Sequence, residues 1–251
     1  MPARSIAKKQ RLDLALVGRG LAATREKARA LILAGEVRVR GQVETRAGAL
    51  VAADAVVEVA QPARFVGRGG EKLDHALDCF DIDVRGLVAL DAGASTGGFT
   101  DCLLQRGAAR VYAVDVGYGQ LDFRLRDDAR VVVMERTHVR DLAALPERPD
   151  VATVDVSFIS LTKVLPNIVR LLRPGAVIVA LVKPQFEAER GQVDRRGIVR
   201  DPLVQASVIG RVAWWCVNDG LRVRGVCESP LPGSKGNREF FLLLEPPGGA
   251  P

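Results

Sequence analysis

The 251-residue sequence predicts an α/β protein in two parts: a large doubly wound domain on a seven-stranded sheet, and a small basic α+β domain ahead of it. Three observations predict this. From residue 87 onward, seven short apolar runs (87–90, 111–114, 131–134, 151–154, 176–182, 223–226 and 240–244) are separated by helical segments. Several of these runs are continuous rather than alternating, as strands covered by helices on both faces should be. Charge is also divided unevenly. Residues 1–62 hold 11 Lys/Arg against 6 Asp/Glu, whereas residues 63–251 hold 25 against 24, so the excess positive charge sits in the first quarter. Between the parts, QPARFVGRGG at 61–70 brings Pro62 and three glycines together, a composition that interrupts regular structure.

Taken in order, a first helix is expected over 8–17, with Ile6, Leu12, Leu14, Leu16 and Val17 as apolar positions and Gly18 and Gly20 as stops. Thr24 is a suitable N-cap for a second helix reaching residue 33, ended by Gly35. Arg25 and Arg29, four apart, share one face of it. Alternating stretches at 36–40 and 55–59 suit small half-buried strands. The expected division is a small basic domain at 1–60, a linker at 61–70, the α/β body at 71–246 and a tail at 247–251. The body opens with a helix at 71–79. Its clearest helix, 202–219, has Asp201 as N-cap and Pro202 at the first position. Val204, Val208, Val212 and Trp215 form one stripe along it.

With 48% apolar residues the chain can build a proper core, and no run approaches the roughly 18 consecutive apolar residues of a membrane span. The first residues show neither an apolar core nor a cleavage pattern, so a cytoplasmic protein is expected. Cys79, Cys102, Cys216 and Cys227 are widely spaced without a C-x-x-C pair, and neither a metal nor a disulfide is expected.

The segment Asp91-Ala-Gly-Ala-Ser-Thr-Gly-Gly-Phe-Thr100 follows the first strand of the body and opens a helix. Small residues there let the backbone approach a ligand, and free N–H groups at the helix start favour an anion. The spacing is not G-x-G-x-x-G, which makes a dinucleotide site a poor match. Asp-x-Gly-x-x-x-Gly-Gly instead resembles the cofactor loop of S-adenosylmethionine-dependent methyltransferases, which implies contacts from Asp91, Gly93, Ala94, Ser95, Gly97, Gly98 and Phe99. Asp115 ends the second strand, where a carboxylate can accept both hydroxyls of a ribose. Glu135, Arg136, Thr137 and His138, after the third strand, are expected to border the adenine.

Four further residues stand beside this loop: Lys72 ahead of the first strand, Asp155 after the fourth, Lys183 after the fifth and Glu239 at the start of the last. In an open α/β sheet the carboxyl ends of the strands surround the ligand crevice, which puts Asp155 and Lys183 there on topology alone. Two lysines framed by two carboxylates suit an oxygen nucleophile that must lose a proton. A lysine can take that proton if a neighbouring cation and partial burial favour its neutral form.

The Lys–Asp–Lys–Glu order resembles the FtsJ-like family of 2′-O-ribose methyltransferases. The wider set GRGGEK, DAGASTGGFT, DVGYGQL, ERT, DVSFISL, LVKPQFE and SPLPGSKGN is similar to the TlyA, or haemolysin A-like, family over nearly all residues. The resemblance implies a Rossmann-like methyltransferase domain that uses S-adenosylmethionine to methylate ribose 2′-oxygens of cytidine in ribosomal RNA. Lys72, Asp155, Lys183 and Glu239 are then the catalytic tetrad, with Lys183 as base. The chain stops soon after the last strand, without the extension of longer members associated with both subunits. That implies large-subunit 23S RNA first and small-subunit 16S RNA second.

The phrase AGEVRVRG at 34–41 resembles the small RNA-binding domain named after the fourth small-subunit ribosomal protein. RNA contacts are expected from Arg11, Arg19, Arg25, Arg29, Arg38 and Arg40, and from Arg64 and Arg68 in the linker. The Arg-rich stretch 187–201 reads equally as a flexible loop or as a basic lip on RNA phosphates, and the turn-rich loop 229–236 lies near Glu239.

Two rival functions have different signatures. A methyltransferase acting on a base nitrogen often carries Asn/Asp-Pro-Pro-aromatic after the fourth strand, where this chain has Asp155-Val-Ser-Phe158. A membrane-acting protein needs lipid-facing apolar or amphipathic segments, and the sequence offers none.

Overall fold

A computed structural model describes residues 9–59 and 64–247. It divides into two compact units, Met1–Ala63 and Arg64–Pro251.

The first unit begins with strand β1 (Lys9–Arg11), then helices α1 (Leu12–Gly18) and α2 (Arg25–Leu33), and strands β2 (Val37–Val39), β3 (Gln42–Val43), β4 (Leu50–Ala52) and β5 (Val57–Val59). β1 pairs antiparallel with β4, and β2 lies between β3 and β5. The helix expected from residue 8 therefore starts at Leu12. Lys9, Gln10 and Arg11 are held extended by pairing with Ala52, Val51 and Leu50, and Lys8 lies outside the described residues. Thr24 caps α2 as expected, its Oγ1 accepting from Lys27 N–H at 3.2 Å. Leu12, Leu16, Ala28, Ile32, Val37 and Val51 form this unit's core.

The second unit runs α3 (Arg68–Cys79), β6 (Val88–Ala92), α4 (Gly98–Gln105), β7 (Arg110–Val114), α5 (Phe123–Arg126), β8 (Val131–Met134), β9 (Val151–Val154), α6 (Leu165–Leu171), β10 (Val177–Val182), α7 (Pro184–Glu187), α8 (Pro202–Asn218), β11 (Arg222–Glu228) and β12 (Phe240–Glu245). The seven strands lie in the order β11-β12-β10-β9-β6-β7-β8, parallel except at β12. This is the Rossmann-like sheet the apolar runs predict. Side-chain alternation along each strand builds two cores. Leu90, Tyr112, Ile178 and Leu242 face Leu165, Ile168, Val208 and Val212 on one side. Ala89, Val111, Val179 and Phe241 face Leu73, Leu77, Phe99 and Leu103 on the other.

α3 starts at Arg68, three residues before the expected position, so Gly69 and Gly70 are helical rather than linker. These glycines serve close packing. A Cβ on Gly70 would come within 2.2 Å of the Phe65 ring, and one on Gly98 would come within 2.9 Å of Gly70 N. Removing those side chains lets α3 lie against α4, which brings Lys72 to the carboxyl end of the sheet.

Strand register assembles the rest. Ala92 and Ala180 both pair with Val154, so Asp155 emerges between the ends of β6 and β10. Val182 pairs with Phe240 on the antiparallel β12, which sets Glu239 beside the segment carrying Lys183.

Candidate active site

The four tetrad residues line one cavity of about 560 Å³, together with Arg68, Ser157, Phe158, Gln185, Phe186 and the loop at Gly233–Ser234–Lys235. Lys72 Nζ and Glu239 Oε2 are 2.5 Å apart, with side chains only 9% and 3% exposed. Lys183 Nζ stands 2.5 Å from Asp155 Oδ1 and donates to Ser157 Oγ at 2.9 Å. The Lys183–Asp155 approach is close but poorly aligned for a hydrogen bond, so Asp155 Oδ1, buried, has no directional donor. The tetrad is thus two lysine–carboxylate pairs across one cavity, one pair enclosed and the other at the wall.

A larger cavity of about 1010 Å³ adjoins it, lined by Gly93, Ser95, Asp115, Val116, Gln120, Thr137, His138, Val139 and Ile159. Ser95, Asp155, Ser157, Phe158 and Phe186 border both cavities. Gly93 is required at the junction. Its φ is +94°, and a Cβ there would lie 2.5 Å from the Asp155 carbonyl oxygen. Asp115 is half-buried, its carboxylate accepting from Ser95 N–H at 2.9 Å and Gly117 N–H at 2.6 Å. Each oxygen keeps a lone pair for a ribose hydroxyl. With apolar walls from Val116, Val139 and Ile159, this cavity suits a nucleoside whose remaining part reaches Gly93 and Asp155, the fit S-adenosylmethionine requires.

Other expected cofactor contacts take different roles. Ala94, Gly98 and Phe99 border a small recess beside the loop, but Phe99 is 3% exposed and packs 6.1 Å from the Phe241 ring. Gly97, at φ +97°, leaves no room for a Cβ against Leu121 and Leu125. Asp91 is fully buried, accepting from Thr100 Oγ1 at 2.7 Å and Thr153 Oγ1 at 3.2 Å, so it braces the loop from beneath. Burial first, and then the neighbouring Asp155 charge, push its carboxyl up to about 7. Glu135 turns to the 117–120 turn, where it accepts from Gly119 N–H at 2.9 Å and pairs with Arg126. Arg136 stacks 4.1 Å over Tyr118. Of the expected run after β8, only Thr137 and His138 reach the large cavity.

Sequence reading missed Ser157 as the partner of Lys183, and also Phe158. Phe158 is 90% exposed at φ +63°, with its ring 4.9 Å from that of Phe186. A large aromatic is thus held in solvent at a strained backbone angle on the border of two cavities. The signal was present in DVSF, where the reading assigned Asp155 and noted the lack of prolines but gave Ser157 and Phe158 no role.

The arginines expected on RNA divide by their partners. Arg11 and Arg25 bind the fully buried Asp13 at 3.0 and 2.9 Å, and hold its carboxyl well below the usual range. Arg19 donates to the carbonyls of Ala55 at 2.6 Å and Ala53 at 2.9 Å. These three secure the small unit. Arg38 donates to the Gly41 carbonyl at 3.3 Å, and among the described residues Arg29, Arg38 and Arg40 are exposed without an ion pair. Arg64 pairs with Asp74 and lies over Phe65, whereas Arg68 stands at the tetrad cavity, donating to the Pro232 carbonyl at 2.5 Å.

Comparison with known proteins agrees with this geometry. The chain is 48% identical over 243 residues to the 16S/23S rRNA (cytidine-2′-O)-methyltransferase TlyA of Mycobacterium tuberculosis, covering 95% of this chain and 91% of that protein. It is 42% identical to Hemolysin A of Brachyspira hyodysenteriae, over 92% of this chain and 98% of that one. The 23S rRNA (cytidine-2′-O)-methyltransferase TlyA of Campylobacter jejuni is 33% identical over 70% of this chain and 69% of its own. A solved hemolysin structure from Streptococcus thermophilus superposes with TM-score 0.73 at 40% identity, covering 98% of this chain and 92% of that one. Residues 65–245 match the FtsJ-like methyltransferase family and residues 10–57 the S4 domain. With that match spanning the whole sheet and both cavities, the chain belongs to the FtsJ-like methyltransferase family and carries an S4 domain ahead of its catalytic unit.

Proposed function

We propose that this protein transfers a methyl group from S-adenosylmethionine to the ribose 2′-oxygen of cytidine in ribosomal RNA. The observation that carries the reading is the junction of the two cavities: a nucleoside-sized cleft opens at Asp155 onto a second cleft walled by Lys72, Asp155, Lys183 and Glu239. The names of the TlyA relatives support cytidine and the 2′-oxygen.

Gly93, Ser95, Asp115, Thr137 and His138 would hold the cofactor, with Asp115 taking the ribose hydroxyls. S-adenosylmethionine supplies an electrophilic methyl group on a sulfonium. Lys183 receives the proton of the attacking 2′-hydroxyl, its Nζ oriented by Asp155 and Ser157. Bound RNA would exclude water from the cleft, so that the 2′-hydroxyl is the nucleophile facing the sulfonium methyl. The enclosed Lys72–Glu239 pair fixes the opposite wall and keeps a second cation near the reacting oxygen. Phe158 offers a face on which a base turned out of its stack can rest.

The test is nucleoside analysis of unmodified large and small ribosomal subunits treated with the protein and labelled S-adenosylmethionine. The expected product is 2′-O-methylcytidine; label confined to base-methylated nucleosides would overturn the reading. Large-subunit RNA is the proposed main target. The relative whose name covers both subunits is the more similar one, so the small subunit is assayed beside it.

A further inference from the structure

Most arginines of the catalytic unit are matched to carboxylates, including Arg64, Arg85, Arg106, Arg110, Arg124, Arg126, Arg130, Arg173, Arg200, Arg211 and Arg238. Against that background, cations without an ion pair among the described residues stand out, and four of them gather at one place. Arg68 and Lys235 line the tetrad cavity, as do Val193 and Gly197 on either side of the exposed Arg195 and Arg196. A methyl group on Gly197 would lie 3.6 Å from Lys235 Nζ, so the two loops meet at this rim. The carboxylates of the cavity wall and of the 189–199 segment are already engaged: Asp194 by Arg200, Glu189 by Arg211, Glu239 by Lys72 and Asp155 by Lys183.

The turn that carries Arg195 and Arg196 is built to keep its shape. Asp194 Oδ1 accepts from both Arg196 N–H and Ile198 N–H at 2.8 Å, and Asp194 N–H donates to the Ile198 carbonyl at 3.0 Å. Behind it, Asn237, 2% exposed, accepts from Val199 N–H and donates to the Gly197 carbonyl, both at 2.9 Å. Gln205, 5% exposed, donates to the Val199 carbonyl at 2.7 Å. Two buried amides thus secure an exposed, doubly cationic turn at the mouth of the catalytic cleft.

Ordering long cationic side chains near one another without counter-charge is unfavourable unless an anion completes them. We propose that the turn 194–199 is a pre-formed basic tooth in which Arg195 and Arg196, with Lys235 beside them, dock RNA phosphates flanking the target nucleotide. The catalytic unit then carries its own phosphate contacts, in addition to those of the S4 domain. This inference rests on the proposed RNA substrate.

Each phosphate contact adds about 0.7–0.9 to the slope of log affinity against log salt. The experiment measures binding of the full chain to an unmodified large-subunit RNA transcript across a salt series. Wild type is compared with Arg195→Ala/Arg196→Ala, with Arg195→Lys/Arg196→Lys, and with Arg148→Ala/Arg222→Ala. The last pair removes two exposed cations that have no ion pair among the described residues and line neither cavity. The expected result is a slope shallower by about 1.5 for the first variant, which is roughly a tenfold smaller loss of affinity between 50 and 200 mM salt. The lysine variant should restore the slope, the control should keep it, and S-adenosylmethionine affinity should be equal in all four. A wild-type slope in Arg195→Ala/Arg196→Ala, or an equal loss in the control, overturns the tooth while leaving RNA methylation standing. Failure of wild type to bind or methylate RNA overturns both.

Discussion

Replacing Lys72 by Met should destabilise the catalytic unit far more than an ordinary charge deletion. Lys72 Nζ sits 2.5 Å from Glu239 Oε2, and the partner left behind is only 3% exposed. Breaking such a pair from one side leaves an uncompensated buried charge, at a cost of about 3–5 kcal/mol. For a unit of this size, ~1 kcal/mol moves the melting temperature by about 2–4 °C, so a fall of about 6–20 °C is expected. Glu239→Met should fall by a similar amount. The double variant Lys72→Met/Glu239→Met removes both charges and should regain most of the loss, because buried pairs are often no more stable than apolar residues of like volume. It should not regain methyl transfer, since the second cation of the cleft is gone. The assay is thermal unfolding of the four proteins beside single-turnover methylation of ribosomal RNA. An unchanged melting temperature in Lys72→Met, or activity recovered in the double variant, would refute the assignment of this pair as an enclosed, working element of the site.

Other perturbations follow from the same geometry. Asp91 has its folded-state pKa raised to about 7 by burial, so the stability it contributes is complete below its unfolded value near 4 and is lost as pH rises to about 7. The unfolding free energy of the catalytic unit should fall across that window by up to about 4 kcal/mol, and Asp91→Asn should flatten the profile. Asp13 has the opposite sign, its pKa depressed by Arg11 and Arg25, and its stabilisation is lost as pH falls below the ordinary carboxylate range. Asp13→Ala should therefore destabilise the S4 domain by about 1–3 kcal/mol, read by denaturant unfolding of the full chain, and weaken RNA binding with no change in cofactor affinity. Phe158→Gly removes a strained positive φ and an exposed ring, so it should raise stability by about 1 kcal/mol while lowering methyl transfer. A stability gain without loss of rate would show that the ring has no part in substrate handling.

The sheet was legible in the sequence because continuous apolar runs such as 151–154 and 176–182 have few outcomes other than buried strands. Asp155, Lys183 and Asp115 were legible for the same reason, since strand ends are placed by topology. What escaped depended on side-chain direction. Asp91 and Phe99 sit in the cofactor loop by spacing, yet the pleat and helix turn them into the core. Arg11 and Arg25 read as free cations because Asp13 lies on α1, and nothing in its neighbours showed that it would be buried. Gly69 and Gly70 read as linker because glycine marks both turns and close helix contacts, and only the Phe65 and Gly98 neighbours distinguish the two. The 187–201 segment read equally as a flexible loop or a basic lip, because the shape of its 194–199 turn is set by Asn237, some 40 residues away in sequence.

The central claim, that Lys183 in the cavity that opens beside Asp155 carries the proton transfer that accompanies methylation, has a direct test. Single-turnover methyl transfer from labelled S-adenosylmethionine to unmodified large ribosomal subunits is measured for wild type and Lys183→Ala, with cofactor affinity measured in parallel. The account predicts label on a ribose 2′-oxygen with wild type, a loss of at least about a hundredfold in the variant, and equal cofactor affinity. Methylation by Lys183→Ala at the wild-type rate would contradict it.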